Sequence, residues 1–287
     1  MADIPTARED FERIYDLPDP RPYFGALRPL DYRMPRVICG FLRQFGATIA
    51  AARGKDCLLL VDIACGYGAN GLLLRHEIAL SDIHDHYLRP VLDDFMAADT
   101  AFFAARHRPG TETRIIGIDI AAAALAYAKA VGAVDEAFAV NLVEEAPAPP
   151  LARLLSAADL VMESGAIGEL LAPAMARILD TARVEKRPWL LLAPRGDVDD
   201  AALRGVLAAN GYRVELCNQR PFRYRRFRGR KERQIILEAV MALGRDPAHW
   251  LDDDYFLINL WLARPEADCR QHPIEAFVAK DLGQETP

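Results

Sequence analysis

Short apolar runs alternate along the chain with stretches of helical periodicity. Buried strands are predicted near residues 57–64, 114–119, 136–140, 159–163 and 188–193. Helices are predicted from residue 69 and over 121–131, 168–180 and 199–210. A further strand begins at Tyr212, and the last apolar run, 255–263, predicts one final strand. Strands that alternate with helices are typical of an α/β fold with a parallel sheet and right-handed crossovers.

The first strand carries Asp62 near its end and is followed by Gly66, Gly68 and Gly71. This glycine spacing matches the G-x-G-x-x-G pattern that seats a dinucleotide pyrophosphate on a helix N-terminus. A carboxylate four residues before the first glycine would repel two phosphates. It suits a cation instead, such as the sulfonium and ammonium groups of S-adenosylmethionine.

The sequence VDIACGYG resembles the first motif of the class I S-adenosylmethionine-dependent methyltransferases, with Ala64 and Cys65 in its small positions. The resemblance covers residues 57–265 and implies a Rossmann-like, doubly wound, mostly parallel seven-stranded sheet whose last strand is antiparallel. It implies S-adenosylmethionine as the cofactor. The residues expected to bind it are Asp62, Ala64, Cys65, Gly66, Tyr67, Gly68, Asn70, Asp119, Ile120, Asn141 and Leu142.

Asp119 ends the second strand, where a carboxylate can accept hydrogen bonds from both ribose hydroxyls. Dinucleotide-binding folds also bind ribose through a carboxylate at the end of a strand, but in those folds the acidic residue follows the glycines by roughly 20 residues. Here Asp119 lies 48 residues after Gly71. Asn141 follows the third strand, where the family more often has Asp. Its carbonyl can accept from the adenine amino group, and the N–H of Leu142 can donate to the ring.

The sequence DLVMESGAIGEL resembles the fourth motif of the family, which implies that Glu163 and Ser164 face the transferred methyl group. His84 is a third candidate, as a general base near neutral pH. An alternative role for Glu163 is to hydrogen bond the following loop. Methyl transfer depends mainly on aligning the acceptor, so a dedicated base is optional.

Several segments lie outside the minimal methyltransferase domain. Residues 1–56 form a helical arm whose Tyr15, Tyr23 and Tyr32 are candidates for a lid that binds substrate, or for a strap of packed aromatics. A helical insertion at 81–110 has apolar residues on one face, which predicts docking on the body. Its histidines lack the spacing of a zinc site, so no metal is expected. Residues 266–287 form a tail.

The segment 220–233 has eight basic residues and one acid, a local charge of +7 in a chain of net charge −6. Arg223 and Arg226 are candidates for binding an anionic substrate. The alternatives are pairing with the chain's own surface or a second subunit, as in a homodimer, and nucleic acid. The fourth-strand sequence MESGAIG lacks the Asn/Asp-Pro-Pro-aromatic pattern of enzymes that methylate base amines, which disfavours nucleic acid.

Composition agrees with an enzyme of this class. The chain has 287 residues, of which 52% are hydrophobic, and no apolar run long enough to span a membrane. Its first residues do not resemble a secretion signal. Its five cysteines are an odd number and lack the paired spacing of metal ligands, so reduced cysteines and a cytoplasmic location are expected. The expected function is methyl transfer to a small molecule. The alternatives are a nicotinamide-dinucleotide oxidoreductase, an RNA methyltransferase and a non-catalytic partner subunit that binds the cofactor.

Overall fold

The computed structural model describes residues 14–90, 94–109, 113–166, 168–183, 186–279 and 282. Nine strands lie in this part of the chain. They are β1 (Leu59–Ile63), β2 (Arg114–Asp119), β3 (Glu136–Ala139), β4 (Leu160–Glu163), β5 (Trp189–Leu192), β6 (Tyr212–Leu216), β7 (Phe222–Arg226), β8 (Tyr255–Ile258) and β9 (Trp261–Pro265). Seven of them form one sheet in the order β3-β2-β1-β4-β5-β9-β6, and β7 pairs with β8.

Strands β1 to β5 are parallel, whereas β9 runs antiparallel between β5 and β6. This confirms the predicted α/β fold with a mostly parallel, seven-stranded, Rossmann-like sheet. The dinucleotide-binding order of this fold is 3-2-1-4-5-6. The antiparallel strand inserted before β6 therefore distinguishes this sheet from that arrangement.

Helices cover both faces of the sheet. The α-helices are α1 (Arg21–Leu27), α2 (Met34–Ala52), α3 (Ala69–Arg75), α4 (Leu80–Tyr87), α5 (Phe95–Ala104), α6 (Ala122–Ala130), α7 (Pro149–Ala157), α8 (Leu171–Thr181), α9 (Ala201–Ala209), α10 (Arg230–Ala242), α11 (Pro247–Trp250) and α12 (Glu266–Gln271). Short 3₁₀ turns lie at Arg28–Leu30, Gly168–Leu170 and Ile274–Phe277. None of these described helices has the length and apolarity that a membrane crossing requires.

Successive strand residues point to opposite faces, which gives the protein two apolar layers. Leu60 and Met162 belong to a layer shared with α2, α3 and α6. Val61 and Val161 belong to the other layer, shared with α7, α8 and α9. Because both faces are covered, the central strands are apolar throughout, and this is why continuous apolar runs predict them.

The insertion joins the N-terminal arm to the body through a buried carboxylate. Asp99 of α5 has no exposed surface and pairs with Arg21 of α1, with Nη2 and Oδ1 2.8 Å apart. It also accepts a hydrogen bond from the Tyr127 hydroxyl (2.8 Å) and lies 2.6 Å from His86 Nε2. We call Arg21, His86, Asp99 and Tyr127 the arm anchor. It links three separate segments at one charged group.

The apolar run 255–263 does not form the single strand predicted from the sequence. It divides into β8, which pairs with β7, and β9, which enters the main sheet. At the break, Leu260 N–H donates to Asn218 Oδ1 (2.8 Å), and Asn218 Nδ2 donates to Asn259 Oδ1 (2.9 Å). The residues on the two sides of this break are equally apolar. The pattern of apolar residues therefore could not show where the chain leaves one sheet and enters the other. Residues 217–260, which we call the hairpin insert, therefore lie between the paired strands β6 and β9.

Candidate active site

A cavity of about 620 Å³ lies along the carboxyl edge of the sheet. Its lining follows the strand order. Asn141 comes after β3, Asp119 ends β2, Cys65 follows β1, Ser164 follows β4 and Arg195 follows β5. Ligands of open α/β sheets bind outside the carboxyl ends of the strands. The cavity is therefore one continuous site that crosses five strands.

Asp119 is held by hydrogen bonds to both of its oxygens. Oδ2 accepts from the Gly66 N–H and from the Tyr15 hydroxyl, each at 2.8 Å, and Oδ1 accepts from the Ala121 N–H at 2.9 Å. Burial and the neighbouring Asp119 raise the pKa of Tyr15 well above its ordinary value. A residue of the arm thus donates to the carboxylate expected to bind ribose.

The glycines after β1 serve mainly to pack the loop. A Cβ on Gly71 would lie 2.0 Å from the Ala133 carbonyl oxygen, and one on Gly68, whose φ is +76°, would lie 2.5 Å from the Ala133 Cβ. A Cβ on Gly66 would instead lie 3.0 Å from the hydroxyl oxygen of Tyr15. Ala64 and Cys65 line the cavity, but Gly66 and Gly68 do not. The spacing of the glycines therefore reflects close contact with the segment after α6.

Asp62 is fully buried beneath the cavity and does not line it. Both of its oxygens lie 3.1 Å from Asn70 Nδ2, and Asn70 does line the cavity. Burial raises the Asp62 pKa to about 8 despite this hydrogen bond. Asp62 thus holds the side chain of Asn70, which is the member of this pair that lines the cavity.

Tyr67 lies outside the cavity and holds the arm. Its hydroxyl accepts from the Leu17 N–H at 3.0 Å and donates to the Leu17 carbonyl at 2.9 Å. Tyr23 packs against its ring, with centroids 5.1 Å apart, and Tyr23 itself lines the cavity together with Tyr15 and Tyr32. The three arm tyrosines proposed as a lid therefore all lie at the site.

The β3 side of the cavity combines an amide with an exposed apolar side chain. Asn141 and Leu142 line it, and Asn141 Oδ1 accepts from the Val143 N–H at 3.0 Å. Ile120, next to Asp119, also lines it and is 68% exposed. A large exposed apolar side chain beside polar groups is typical of a surface that packs on a ligand.

Two phenols shape the cavity wall after β4. The Tyr32 hydroxyl donates to the Ser164 carbonyl (3.2 Å), and the Tyr224 hydroxyl donates to the Gly165 carbonyl (3.0 Å). The two rings meet edge to face, with centroids 5.5 Å apart and an angle of 88°. Glu163 is buried behind this loop, where Oε1 accepts from the Ala166 N–H at 2.5 Å. Of the residues Glu163 and Ser164, only Ser164 lines the cavity.

His84 lies away from the cavity, on helix α4. Its ring packs against Phe24, with centroids 5.7 Å apart. Burial lowers its pKa below the ordinary value. Among the described residues no group of three or more His, Cys, Asp and Glu side chains is arranged to hold a metal ion.

The basic segment contributes Arg225 and Arg228 to the cavity, rather than Arg223 and Arg226. Arg223 pairs with Asp252 at 3.2 Å, and Arg226 Nε donates to the Tyr255 hydroxyl at 3.0 Å. The reason is a shift of register between Arg223 and Arg225 in the pairing with β8. Such a bulge redirects side chains, so that the adjacent Tyr224 and Arg225 both line the cavity.

Sequence reasoning missed Arg195, Tyr224, Arg225 and Arg228. A signal existed for Arg195, because it follows the apolar run WLLLAP at the end of a predicted strand. The other three depend on the bulge and on the pairing of β7 with a strand far along the chain. A single sequence does not show either feature.

No protein-family model and no curated protein matches the chain. Solved structures with similarity to it include a TehB-like SAM-dependent methyltransferase from Corynebacterium glutamicum, 13% identical over 78% of this chain and 88% of that one, with a TM-score of 0.39. The plantazolicin methyltransferase in complex with SAH is 9% identical over 90% and 95%, with a TM-score of 0.45. The magnesium protoporphyrin IX methyltransferase from Synechocystis PCC 6803 with bound SAH is 13% identical over 78% and 83%, with a TM-score of 0.38. Similarities this weak carry no argument about what this chain binds.

Proposed function

We propose that the chain is a class I S-adenosylmethionine-dependent methyltransferase that acts on a small-molecule acceptor. The observation that carries the proposal is the order of groups along one cavity. An amide lies after β3, a carboxylate ends β2, a glycine loop follows β1, and free space continues past Ser164 to Arg195. This order is suited to a nucleoside at one end and to a second molecule beside it.

The residues present fit the cofactor. Asp119 would accept from the ribose, Asn141 and Leu142 would hydrogen bond the adenine edge, and Ile120 would pack against the adenine ring. Asn70 and Cys65 lie where the methionine end would be placed. When bound, the cofactor supplies an electrophilic methyl group on a sulfonium.

The glycine loop argues against a dinucleotide. In that fold the pyrophosphate lies against the glycines at the helix N-terminus. The second glycine of that pattern lets the backbone approach the pyrophosphate, whereas a Cβ on Gly68 would meet the Ala133 side chain at 2.5 Å, so this glycine is needed for packing against the protein itself. The lining past Ser164 also favours an enzyme over a non-catalytic partner subunit, because no side chain among the residues that the structure describes fills the acceptor end.

The chain's own contribution to the reaction is positioning. Tyr32 and Tyr224 hold the loop that carries Ser164 and wall the acceptor end. Fixing an acceptor in line with the methyl group and excluding water supply much of the acceleration of such displacements. Of the three candidate catalytic residues only Ser164 lines the cavity, so this proposal relies on alignment rather than on a general base.

Calorimetric titration with S-adenosylhomocysteine tests the proposal. Wild type should bind S-adenosylhomocysteine. Asp119→Ala should bind it at least about tenfold more weakly, because the charge-assisted hydrogen bonds to the ribose are lost. The control Asp85→Ala changes an exposed carboxylate and should bind it as wild type does. Thermal melting checks that the variants are folded. Tight binding of a nicotinamide dinucleotide, with none of S-adenosylhomocysteine, would contradict it.

A further inference from the structure

Two tyrosine hydroxyls at the acceptor end donate their protons to the protein itself. The Tyr32 hydroxyl donates to the Ser164 carbonyl at 3.2 Å, and the Tyr224 hydroxyl donates to the Gly165 carbonyl at 3.0 Å. Burial raises the pKa of both phenols above the ordinary value, so both keep their protons near neutral pH. A phenol has one proton, and a carbonyl oxygen only accepts. Neither phenol therefore has a proton left for a ligand.

The hydroxyl of Ser164 is engaged in a similar way. Its side chain hydrogen bonds with the Tyr32 hydroxyl. Because the Tyr32 proton already goes to the Ser164 carbonyl, the serine hydroxyl is the donor in this second bond. Ser164 is 6% exposed and lines the cavity. Its oxygen therefore offers a ligand a lone pair rather than a proton.

We call Tyr32, Ser164 and Tyr224 the hydroxyl wall, since all three line the cavity. Each of its oxygens accepts hydrogen bonds from a ligand and donates none. A ligand that brings an O–H or N–H group to this wall forms a hydrogen bond there. A carboxylate or ether oxygen would instead place lone pairs against lone pairs, at the cost of its hydration.

The hydroxyl wall is held in place where the N-terminal arm meets the hairpin insert. The Arg33 N–H donates to the Tyr224 carbonyl at 2.9 Å, and the Tyr255 hydroxyl donates to Asp31 Oδ2 at 2.8 Å. The rings of Tyr32 and Tyr224 stand at 88° to each other. Apolar residues of the arm also line the cavity, namely Leu27, Leu30 and Pro35. Flat apolar ligands pack well in such a corner.

The nearby arginines do not call for an anionic ligand. Arg195 and Arg225 also line the cavity, but Arg195 pairs with Asp197, and Arg225 pairs with Glu232 at 2.9 Å. The positive charges of these two side chains are thus balanced within the protein. The direction of the hydrogen bonds in the hydroxyl wall is therefore the more selective feature.

We propose that the hydroxyl wall selects a methyl acceptor that donates a hydrogen bond, namely a flat apolar molecule with an aromatic hydroxyl or amine group. This inference rests on the proposed function only in naming the ligand as the methyl acceptor. The O–H or N–H group donates to Ser164, and the ring packs against Tyr32 and Tyr224. A nucleophile held through its proton keeps its lone pair free to react.

A set of matched probes tests the hydroxyl wall. 4-Hydroxybenzamide and 4-fluorobenzamide have nearly the same shape, but only the first has a donor at the ring position that they vary. Calorimetry in the presence of S-adenosylhomocysteine measures both. Wild type should bind the hydroxyl compound about fivefold or more tightly, which is the effect of one hydrogen bond. 4-Aminobenzamide, which donates through N–H, should also bind more tightly than the fluoro compound.

Two conservative variants locate the preference. Ser164→Ala and Tyr224→Phe each remove one oxygen of the wall, and the preference for hydroxyl over fluorine should fall to about twofold or less. Their controls change the same groups outside the cavity. Ser156 donates to the Arg153 carbonyl and Tyr212 to the Pro188 carbonyl, so Ser156→Ala and Tyr212→Phe should keep the preference of wild type. A general loss of packing would weaken both probes equally and leave their ratio unchanged.

Equal binding of the hydroxyl and fluoro probes by wild type, or no binding of either, would overturn the proposal. A preference that survives in both Ser164→Ala and Tyr224→Phe would overturn it as well. If S-adenosylhomocysteine binds and the donor is not preferred, the hydroxyl wall is not selective and the proposed methyltransferase function stands. If S-adenosylhomocysteine does not bind, but the preference and its loss in the two variants are measured without it, the selection stands and the proposed function is wrong.

Discussion

Replacing Asp62 with asparagine should stabilise the protein near neutral pH. Asp62 is fully buried, and its pKa is raised from an ordinary 3.8 to about 8, chiefly by burial. At pH 7 the folded protein therefore holds a proton that the unfolded chain has lost. Asparagine is neutral at every pH and keeps an oxygen for the hydrogen bond from Asn70.

The size of the effect follows from proton linkage. Between pH 3.8 and about 8 the folded state binds the extra proton, so stability falls as pH rises by about 1.4 kcal/mol per pH unit. This amounts to about 4 kcal/mol at pH 7. Above pH 8 both states are ionised and the slope disappears. The new amide nitrogen replaces one of the two oxygens that accept from Asn70 Nδ2, and it cannot accept. The lost hydrogen bond costs about 2 kcal/mol, which leaves a net gain of about 2 kcal/mol at pH 7.

Urea denaturation of wild type and Asp62→Asn at pH 5, 6, 7 and 8 measures this linkage. The difference between the two free energies of unfolding cancels the titration of all other groups. The free energy of unfolding of Asp62→Asn minus that of wild type should increase from pH 5 to pH 8. A difference that stays constant over this range would refute the reasoning, because Asp62 would then be ionised in the folded protein.

Three further substitutions test other parts of the structure. Arg21→Met removes the cation that pairs with the buried Asp99 of the arm anchor, and it should lower the free energy of unfolding by about 3 kcal/mol. Its control, Arg28→Met, breaks an exposed ion pair and should lower it by about 0.5 kcal/mol. Equal losses for the two variants in urea denaturation would contradict the importance of the buried pair. Gly71→Ala, with its Cβ 2.0 Å from a backbone oxygen, should cost about 3 kcal/mol or more, and Gly25→Ala, with open space around it, should fold normally by circular dichroism. Tyr15→Phe removes the hydroxyl that donates to Asp119 and would compete there with the ribose hydroxyls. Calorimetry should therefore show that the variant binds S-adenosylhomocysteine about threefold more tightly than wild type. Weaker binding would mean that the Tyr15 hydroxyl contacts the ligand instead.

The sheet was predictable because its central strands are buried on both faces. Each is a largely apolar run, and each ends near a residue that the structure brings to the cavity, such as Asp119 at the end of β2 or Ser164 after β4. Parallel strands end at the same edge, so sequence position after a strand is enough to place these residues.

The acceptor end was less predictable because it depends on contacts between distant segments. Alternation along β7 could not distinguish Arg223 from Arg225, since the bulge forms only when β7 pairs with β8. The position of Asp62 in a motif predicted a side chain at the ligand site, whereas Asp62 is buried and its hydrogen-bond partner Asn70 lines the cavity. Burial of a polar group is decided by packing, which motif spacing does not describe.

The hairpin insert has a consequence for how acceptor preference can change. It leaves and re-enters the sheet between β6 and β9, and its two ends are joined by the Cys217 N–H to the Leu260 carbonyl (2.9 Å) and by Asn218 to Asn259 (2.9 Å). It carries Tyr224, Arg225 and Arg228, but none of the residues proposed to bind the cofactor. Under the proposed function, recombination or design could therefore exchange residues 217–260 as a cassette, which would change the acceptor without rebuilding the seven-stranded sheet that is proposed to bind the methyl donor.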